Sequence, residues 1–149
     1  DKGEQIVLLD GEDVSGLIRT PEASMMASAV SAKPAVRAFL LEMQRKLARE
    51  NNVVMDGRDI GTVVLPDAKI KIFLTASARA RADRRYKELV EKGQDVDYDS
   101  ILADIEQRDY QDSHREIAPL KQADDAILCD TSDIDLQQSI DLIINTIRK

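Results

Sequence analysis

Cysteine and aromatic residues are scarce in this 149-residue sequence, and each shortage excludes a class of protein. The single cysteine, Cys129, excludes an intrachain disulfide and any multi-cysteine metal site, and its apolar neighbours predict a buried, structural thiol. Tryptophan is absent and aromatic residues make up 3%, so we do not expect nucleic-acid bases to stack on this protein. The net charge of -7 at pH 7 also argues against a general surface for nucleic acid.

Two longer patterns are also missing. No run of 18 apolar residues and no signal-like start occur, so we expect a soluble, cytoplasmic protein that does not enter membranes. No Gly-x-x-x-x-Gly-Lys-Ser/Thr pattern occurs, so the sequence holds no loop of the kind that wraps phosphates. The sequence begins at Asp1 without a methionine, and we expect it to be part of a longer polypeptide.

Strand-like and helical segments alternate along the chain. Strands are predicted at residues 5–9, 53–56, 69–74 and 126–129, with a further short strand or extended loop at 14–19. Helices are predicted at residues 21–32, 34–50, 78–91, 99–113 and 134–148, several of them marked by Pro, Ser, Thr or Asp at the start. This interleaving is typical of an α/β protein with a parallel sheet flanked by helices.

The predicted strand at residues 53–56 ends in the polar turn Asp56-Gly57-Arg58-Asp59. Ligands of open α/β sheets bind outside the carboxyl ends of the strands, so this turn is a candidate wall of an anion-binding cleft. The alternative is a simple strand-to-helix turn whose acidic residues cap the following segment. Four residues alone do not decide between the two.

A stripe of residues on the predicted helix at 99–113 changes from apolar to charged. Its members recur at helical spacing: Ile101, Ile105, Arg108, Asp112 and Arg115. With ~100° of rotation per residue they lie along one face. That face either meets a partly buried space, where its charges need partners, or projects past the core as a solvated surface.

Other arginines admit two interpretations as well. Twelve of the 21 basic residues are Arg, which suits bidentate binding of phosphate or carboxylate. Arg37 stands near a helix start, where it opposes the helix dipole; it is either an ordinary surface residue or has another partner. The cluster Arg79, Arg81, Arg84 and Arg85 is either a solvated helix face or a mobile lid over phosphates.

Taken together, these segments resemble the bacterial cytidylate kinases over essentially the whole chain. The resemblance is carried, in the family's order, by Gly11-Glu12-Asp13-Val14-Ser15-Gly16, Lys33-Pro34-Ala35-Val36-Arg37, the run from Asp56-Gly57-Arg58-Asp59 through Gly61-Thr62-Val63-Val64 to Pro66-Asp67-Ala68, Lys71-Ile72-Phe73-Leu74, Arg84-Arg85, and Arg108-Asp109 through Asp112 to Arg115-Glu116-Ile117-Ala118-Pro119-Leu120. It implies the α/β fold of P-loop nucleoside monophosphate kinases, with a small substrate-binding insert and an arginine-rich lid.

The resemblance also implies an activity, which is transfer of the γ-phosphoryl group of ATP to CMP or dCMP with Mg²⁺. It implies that the cytosine, ribose and phosphate of the acceptor are held by polar and charged side chains: Ser28, Arg37, Arg58, Asp59, Arg108, Asp112 and Arg115. Within this set, Ser28 and Arg37 would read cytosine with Asp59 and Arg115 nearby. Arg108 and Asp112 would hold ribose, and Arg58 the phosphate.

The donor side is implied to depend on arginines of the lid helix. Arg84 and Arg85 would bind ATP, and the charge-stabilising catalytic residues would be Arg58, Arg81 and Arg84. No residue of the chain is expected to bind a metal ion directly. The implied partners are CMP or dCMP and ATP, without nucleic acid or a membrane, and we expect a monomer.

The departure from the family is that its first strand and phosphate-binding loop do not occur in this sequence. In the family that strand lies between the strands corresponding to residues 53–56 and 69–74, so we expect a slot there. Three explanations compete: the sequence is part of a longer polypeptide, a cleaved N-terminal piece fills the slot, or the fragment is rearranged or domain-swapped. We favour the first two. We expect this chain alone to be inactive.

The resemblance divides the chain into three parts. Residues 1–50 would form the acceptor-binding insert with its helices, residues 51–76 and 116–149 the α/β core, and residues 77–115 the lid with its adjoining helices. Two other functions stay open: another nucleoside monophosphate kinase with UMP or AMP as acceptor, and a non-catalytic nucleotide-binding module.

Overall fold

The computed structural model describes residues 6–31 and 33–148, which belong to two compact units, Asp1–Val53 and Val54–Lys149. The first unit opens with a hairpin in which strand β1 (Leu8–Leu9) pairs antiparallel with strand β2 (Glu12–Asp13). Its turn holds Asp10 at φ 51° and Gly11 at φ 90°, the positive values that a tight two-residue hairpin requires. The Asp-Gly pair therefore fixes the hairpin.

The hairpin corrects the prediction of a second strand or extended loop at residues 14–19. The second strand comes earlier, at β2, and residues 17–19 form a 3₁₀ turn (Leu17–Arg19) instead. The turn at Asp10 and Gly11 is too short to leave room for a strand beginning at residue 14. Residue 5, the predicted start of the first strand, lies outside the described residues.

The two helices of the first unit begin where proline was predicted to start them. Helix α1 runs over Pro21–Ser31, and the Oγ1 of Thr20 accepts a hydrogen bond from the amide of Ala23 at 3.2 Å. Helix α2 runs over Pro34–Glu50. Proline lacks an amide hydrogen and has a helical φ, so it fits the first position of a helix without losing a hydrogen bond.

The second unit is built on two parallel strands. Strand β3 (Ile72–Thr75) pairs in parallel with strand β4 (Ile127–Asp130), with Ile72 opposite Ile127. Between them come helix α3 (Ala78–Glu91) and helix α4 (Tyr98–His114), and helix α5 (Leu136–Ile147) follows β4. This confirms the predicted α/β class with helices and a small parallel sheet. The division of this unit into core and lid stays a prediction.

Side chains near the helix ends account for the boundaries. The Oγ of Ser77 accepts a hydrogen bond from the amide of Ala80 at 3.1 Å and starts α3, and Gly93 at φ 74° follows its end. Asp97 accepts from the amide of Ser100 at 2.8 Å and starts α4. These boundaries agree with the predicted helices.

The predicted strand at residues 53–56 is wrong within the described part of the chain. This segment has no ladder hydrogen bonds to another strand, and Val54 is 99% exposed. A strand exists only when another strand pairs with it, and in the described sheet β3 pairs with β4 alone. An apolar, β-prone sequence is therefore present at residues 53–56 without a neighbour to make it a strand.

Hydrogen bonds link β3 and β4 at their carboxyl ends. Thr131 is buried, and its amide and Oγ1 both donate to the carbonyl oxygen of Thr75, at 2.8 and 3.1 Å. The amide of Ser77 donates to the Oγ of Ser132 at 2.8 Å. Cys129 lies in β4, two residues before Thr131, and is buried, as predicted for a structural thiol. Among the described residues, no helix combines the length and apolar character needed to cross a membrane.

Lys71 joins the loops at the opposite ends of these strands. Its side chain is only 7% exposed, and its Nζ lies 2.6 Å from one carboxylate oxygen of Asp125 and also contacts the carbonyl oxygen of Pro66. The nearby ammonium lowers the pKa of Asp125 below its ordinary value. A nearly buried ammonium needs these partners, since water reaches it poorly.

We predict that Asp125→Asn lowers the thermal unfolding midpoint because it leaves the ammonium of Lys71 without its carboxylate. The matched control is Asp124→Asn, at an exposed neighbour with no hydrogen bond or ion pair to a described residue. A carboxyl with a lowered folded-state pKa stabilises the protein above its unfolded-state pKa, and that contribution is lost as pH falls through the folded-state pKa. The gap between wild type and Asp125→Asn should therefore close in acid. Equal midpoints for the two variants at neutral pH would contradict the prediction.

Candidate functional site

A cavity of about 640 Å³ in the second unit runs along β3, from Ala68 before the strand to Ala76 after it. Its wall includes residues 55–58 and 60–62, the strand β3 with its flanking residues, and Thr131 after β4. Three arginines from separate parts of the unit contribute to it: Arg58, Arg81 and Arg84. The carboxyl ends of parallel strands are the usual place for a ligand in such sheets.

The turn before the cavity is shaped by a close approach at Gly57. A Cβ added there would stand 2.9 Å from Cγ1 of Ile60, closer than real Cβ atoms come. A π-helical turn (Ile60–Val64) follows, in which the carbonyl oxygen of Asp59 accepts from the amides of Val63 and Val64 at 2.9 and 3.2 Å. Glycine at position 57 therefore lets the chain fold back tightly and present Arg58.

Asp112 brings Arg58 and Arg115 together. The Nε of Arg58 donates to Oδ2 of Asp112 at 2.9 Å, and Nη1 of Arg115 lies 3.9 Å from Oδ1. The carboxylate is only 14% exposed, whereas Arg58 is 43% exposed. The cations share a largely buried anion while Arg58 still reaches solvent, so a second anion can approach it.

The chain after α4 is bent to hold Arg115. Arg115 caps the helix, and its Nε donates to the carbonyl oxygen of Ala118 at 2.8 Å. Ala118 has φ 50°, a left-handed conformation that costs a residue with a Cβ about 1 kcal/mol or more. The amide of Leu120 then donates to the carbonyl oxygen of Asp112 at 2.7 Å. The strained turn thus returns the chain to the residue that pairs with Arg58.

Arg81 is held at three of its nitrogens. Nη1 donates to Oδ1 of Asp109 at 2.9 Å, Nη2 contacts Oδ2 of the same carboxylate, and Nε donates to the carbonyl oxygen of Ala76 at 3.1 Å. Hydrogen bonding to Asp109 raises the pKa of Arg81 above its ordinary value. The pair joins the start of α3 to the second half of α4.

Arg84 has a different kind of partner. Its Nη2 donates to the carbonyl oxygens of Thr131 and, at 3.3 Å, of Ile134, and its Nη1 lies 3.5 Å from the Oγ1 of Thr131. Within the described residues no carboxylate pairs with it. Carbonyl dipoles leave its full positive charge in place, so Arg84 is a strong attractor for an anion in the cavity.

The remaining predicted site residues have different surroundings. Arg108 is exposed on α4 and makes no hydrogen bond or ion pair with a described residue. Arg85 pairs with Glu88 at 3.0 Å on the surface of α3 and does not line the cavity. Asp59 is half-buried at the start of the π-helical turn. Arg37 is half-buried in α2 of the first unit, and the side chain of Ser28 lies outside the described residues.

The sequence analysis missed Asp109, which is the acidic partner of Arg81. The signal for it was present, because Asp109 stands four residues after Ile105 and so lies on the same helical face as the stripe that includes Arg108 and Asp112. What the sequence did not contain was the identity of its partner, which is 28 residues away on another helix. Only the packing of α3 on α4 brings the two together.

Comparison with known proteins identifies similar chains. The family model described as "Cytidylate kinase" matches residues 2–149. A cytidylate kinase of Caldicellulosiruptor saccharolyticus is 51% identical over 147 residues, which is 99% of this chain and 65% of that protein. One from Syntrophotalea carbinolica is 50% identical over 145 residues, covering 97% of this chain and 62% of that protein. One from Lactobacillus johnsonii is 51% identical over all 149 residues and 65% of its own length. The chain thus spans less than two thirds of the length of these curated relatives.

We predict that Gly57→Ala destabilises the second unit by about 1–3 kcal/mol, the usual cost of forcing extra atoms into a packed site. The reason is the 2.9 Å approach of Ile60, whose branched side chain has little freedom to move. Gly61→Ala is the matched control, since a Cβ there meets only Lys71 at an ordinary 3.5 Å. Urea unfolding of both variants measures the difference. A loss for Gly61→Ala as large as that for Gly57→Ala would exclude the close approach as its cause.

Proposed function

The chain belongs to the cytidylate kinase family, and from this we propose that the intact protein transfers the γ-phosphoryl group of ATP to CMP or dCMP. The observation that carries the proposal is the cavity along β3, whose wall includes three arginines: Arg58, Arg81 and Arg84. Phosphoryl transfer needs little covalent chemistry from the protein and depends on positioning and charge stabilisation. The three guanidinium groups on the wall of this cavity would supply both.

On the acceptor side, Arg58 would bind the phosphate of CMP, and Asp112 would hold Arg58 in place while its own oxygens face the ribose. The 2.9 Å bond between them supports this, because an oriented guanidinium binds phosphate with less loss of freedom. Arg108, exposed and without a partner among the described residues, would bind the ribose from the preceding turn of α4. Arg115 would lie nearby, held by Ala118.

Recognition of the base would use other residues. As the family resemblance implies, Ser28 and Arg37 would read the donor and acceptor groups on the cytosine edge, with Asp59 nearby. Arginine and serine suit this role, since cytosine presents both hydrogen-bond donors and acceptors. A set of this kind selects cytosine because an unmatched base leaves polar groups unpaired.

On the donor side, Arg81, Arg84 and Arg85 would bind the ATP phosphates, with Arg58, Arg81 and Arg84 stabilising charge on the phosphoryl group in transfer. An oxygen of the CMP phosphate attacks the γ-phosphorus, the bond to the β,γ-bridging oxygen breaks, and ADP leaves. That oxygen is already anionic at neutral pH, so no side chain has to remove a proton. The step therefore needs no general base, and the arginines would contribute by positioning and charge stabilisation.

ATP with Mg²⁺ is the proposed cofactor. In the described part of the chain, no group of three or more His, Cys, Asp or Glu side chains could hold a metal ion. Mg²⁺ in kinases is usually bound by substrate phosphates with one or two carboxylates, so such a cluster is not needed. The cavity fits the anionic part of this cofactor, and Asp56 on its wall is an acid within the same space. The metal would neutralise phosphate charge.

We also propose that a strand from outside these 149 residues, carrying the phosphate-binding loop, fills the slot between the segment at residues 53–56 and β3. The 99% exposure of Val54 and the 55% exposure of Leu74 support this, since both are apolar and unpaired on that side. The greater length of the relatives also supports it. The added strand would pair with β3 and bring the loop to the arginines.

We predict that two polypeptides differ in an ADP-release assay with CMP, dCMP, UMP and AMP. The intact protein should phosphorylate CMP and dCMP in preference to the other two. A polypeptide of these 149 residues alone should show no ATP-dependent turnover, because its sequence has no phosphate-binding loop. Preference for UMP or AMP would overturn the acceptor, nucleotide binding without turnover by the intact protein would favour a binding module, and turnover by the short polypeptide would overturn the need for the loop.

We also predict a selective effect of Arg108 on the use of CMP. In the intact protein, Arg108→Ala should raise the KM for CMP roughly 10-fold or more, the scale of one charged hydrogen bond, and change the KM for ATP far less. Arg148→Ala, an exposed arginine after α5, is the control and should change neither. Equal effects of Arg108→Ala on the two KM values would contradict a role at the ribose.

A further inference from the structure

We propose that Asp109 is a positioning residue for phosphoryl transfer, acting through Arg81. The inference rests on the proposed function and adds a residue to it, because Asp109 does not belong to the acceptor or donor sets described above. Its role would be to hold the guanidinium of Arg81 at one orientation in the cavity before the nucleotides arrive. It would touch neither substrate itself.

The first observation behind this inference is the set of hydrogen bonds that hold Arg81. The carboxylate of Asp109 accepts hydrogen bonds from both terminal nitrogens of Arg81, at 2.9 Å for Nη1. The carbonyl oxygen of Ala76 accepts from Nε at 3.1 Å. Of the five N–H donors of a guanidinium, these contacts use three. The plane and direction of the group are thereby fixed, and two donors are left for another ligand.

The location of the pair is the second observation. Arg81 and Asp109 both line the cavity, together with Arg84. Their side chains are 36% and 44% exposed, so the pair is partly desolvated and the unused donors of Arg81 can still meet a phosphate. A pair with only a structural role would not need to face the cavity. This one lies on the wall of the cavity in which the proposed transfer would take place.

The third observation is a repeated arrangement on α4. Asp109 and Asp112 stand three residues apart, on one edge of the helix, and each binds the guanidinium of a different arginine. Asp112 binds Arg58 from the turn, and Asp109 binds Arg81 from α3. The same helix edge therefore orients one arginine of the acceptor side and one of the donor side.

The negative charge of Asp109 does not by itself explain how this residue would assist the reaction. A carboxylate beside Arg81 reduces the positive field in the cavity, which by itself would weaken binding of ATP. Its benefit is orientation, because a misdirected group slows a reaction even when binding is preserved. Loss of Asp109 should consequently appear in kcat more than in the KM for CMP.

The experiment uses the intact kinase with Asp109→Asn, which keeps the size of the side chain and removes its charge. We expect kcat to fall roughly 10-fold or more, the scale of a small misplacement of a catalytic group, with the KM for CMP changed less than about 2-fold. Glu106→Gln is the control for loss of one negative charge on the exposed face of the same helix, and it should leave both constants unchanged. An unchanged kcat for Asp109→Asn would overturn the inference.

A double-mutant cycle distinguishes action through Arg81 from any other role. If Asp109 acts by holding Arg81, then Asp109→Asn should add no further loss of kcat in an Arg81→Ala background. An equal further loss in that background would overturn the inference. If Asp109→Asn does not fold, as judged by thermal melting, Arg81→Lys decides instead. It keeps the charge and loses the end-on pair, so an unreduced kcat would overturn the inference.

Failure of this inference can be separated from failure of the proposed function. Wild-type protein that does not phosphorylate CMP would overturn the proposed function and the inference with it. Wild-type protein that is active, with an Asp109→Asn variant of equal kcat, would overturn only the positioning role of Asp109.

Discussion

The ion pair between Arg58 and Asp112 is the contact on which the site of the second unit depends. It joins residues 54 positions apart, a tight turn and the last turns of α4, across 2.9 Å. A carboxylate that is only 14% exposed must have cationic partners, so the pair is a requirement of folding as well as a feature of the site. The backbone of Asp112 also binds Leu120, which fixes where the chain leaves the helix and turns toward β4.

The arginines of the cavity differ in how they are held, and that difference matters for their chemistry. Arg58 and Arg81 each have a carboxylate partner, whereas Arg84 is held by the carbonyl oxygens of Thr131 and Ile134. A carboxylate partly offsets the field of each of the first two and fixes its direction, whereas no carboxylate among the described residues offsets the field of the third. In a chain with a net charge of -7, such a local concentration of cations attracts phosphate where the overall charge does not.

Local signals explain what the sequence could predict. Pro34, Ser77 and Gly93 act on the residues beside them through missing amides, side-chain caps and positive φ, so α2 and α3 were located correctly. The prediction of a strand at residues 53–56 was wrong because a strand needs a second strand to pair with it. The strand preference of a sequence carries no information about whether that second strand is present. Asp109 was missed for a related reason, since its partner is fixed by the packing of two helices. The roles of the site residues stay predictions, because contacts between side chains do not identify a substrate.

The nearly complete exposure of Val54 has a consequence for handling this polypeptide. In addition to this exposed apolar residue, strand β3 is paired on one edge only within the described sheet. Unpaired edges of this kind add strands from neighbouring molecules and start aggregation. A polypeptide of these 149 residues expressed by itself would therefore self-associate as its concentration rises, and a soluble peptide of strand-forming sequence that occupies the edge would act as a chaperone for it.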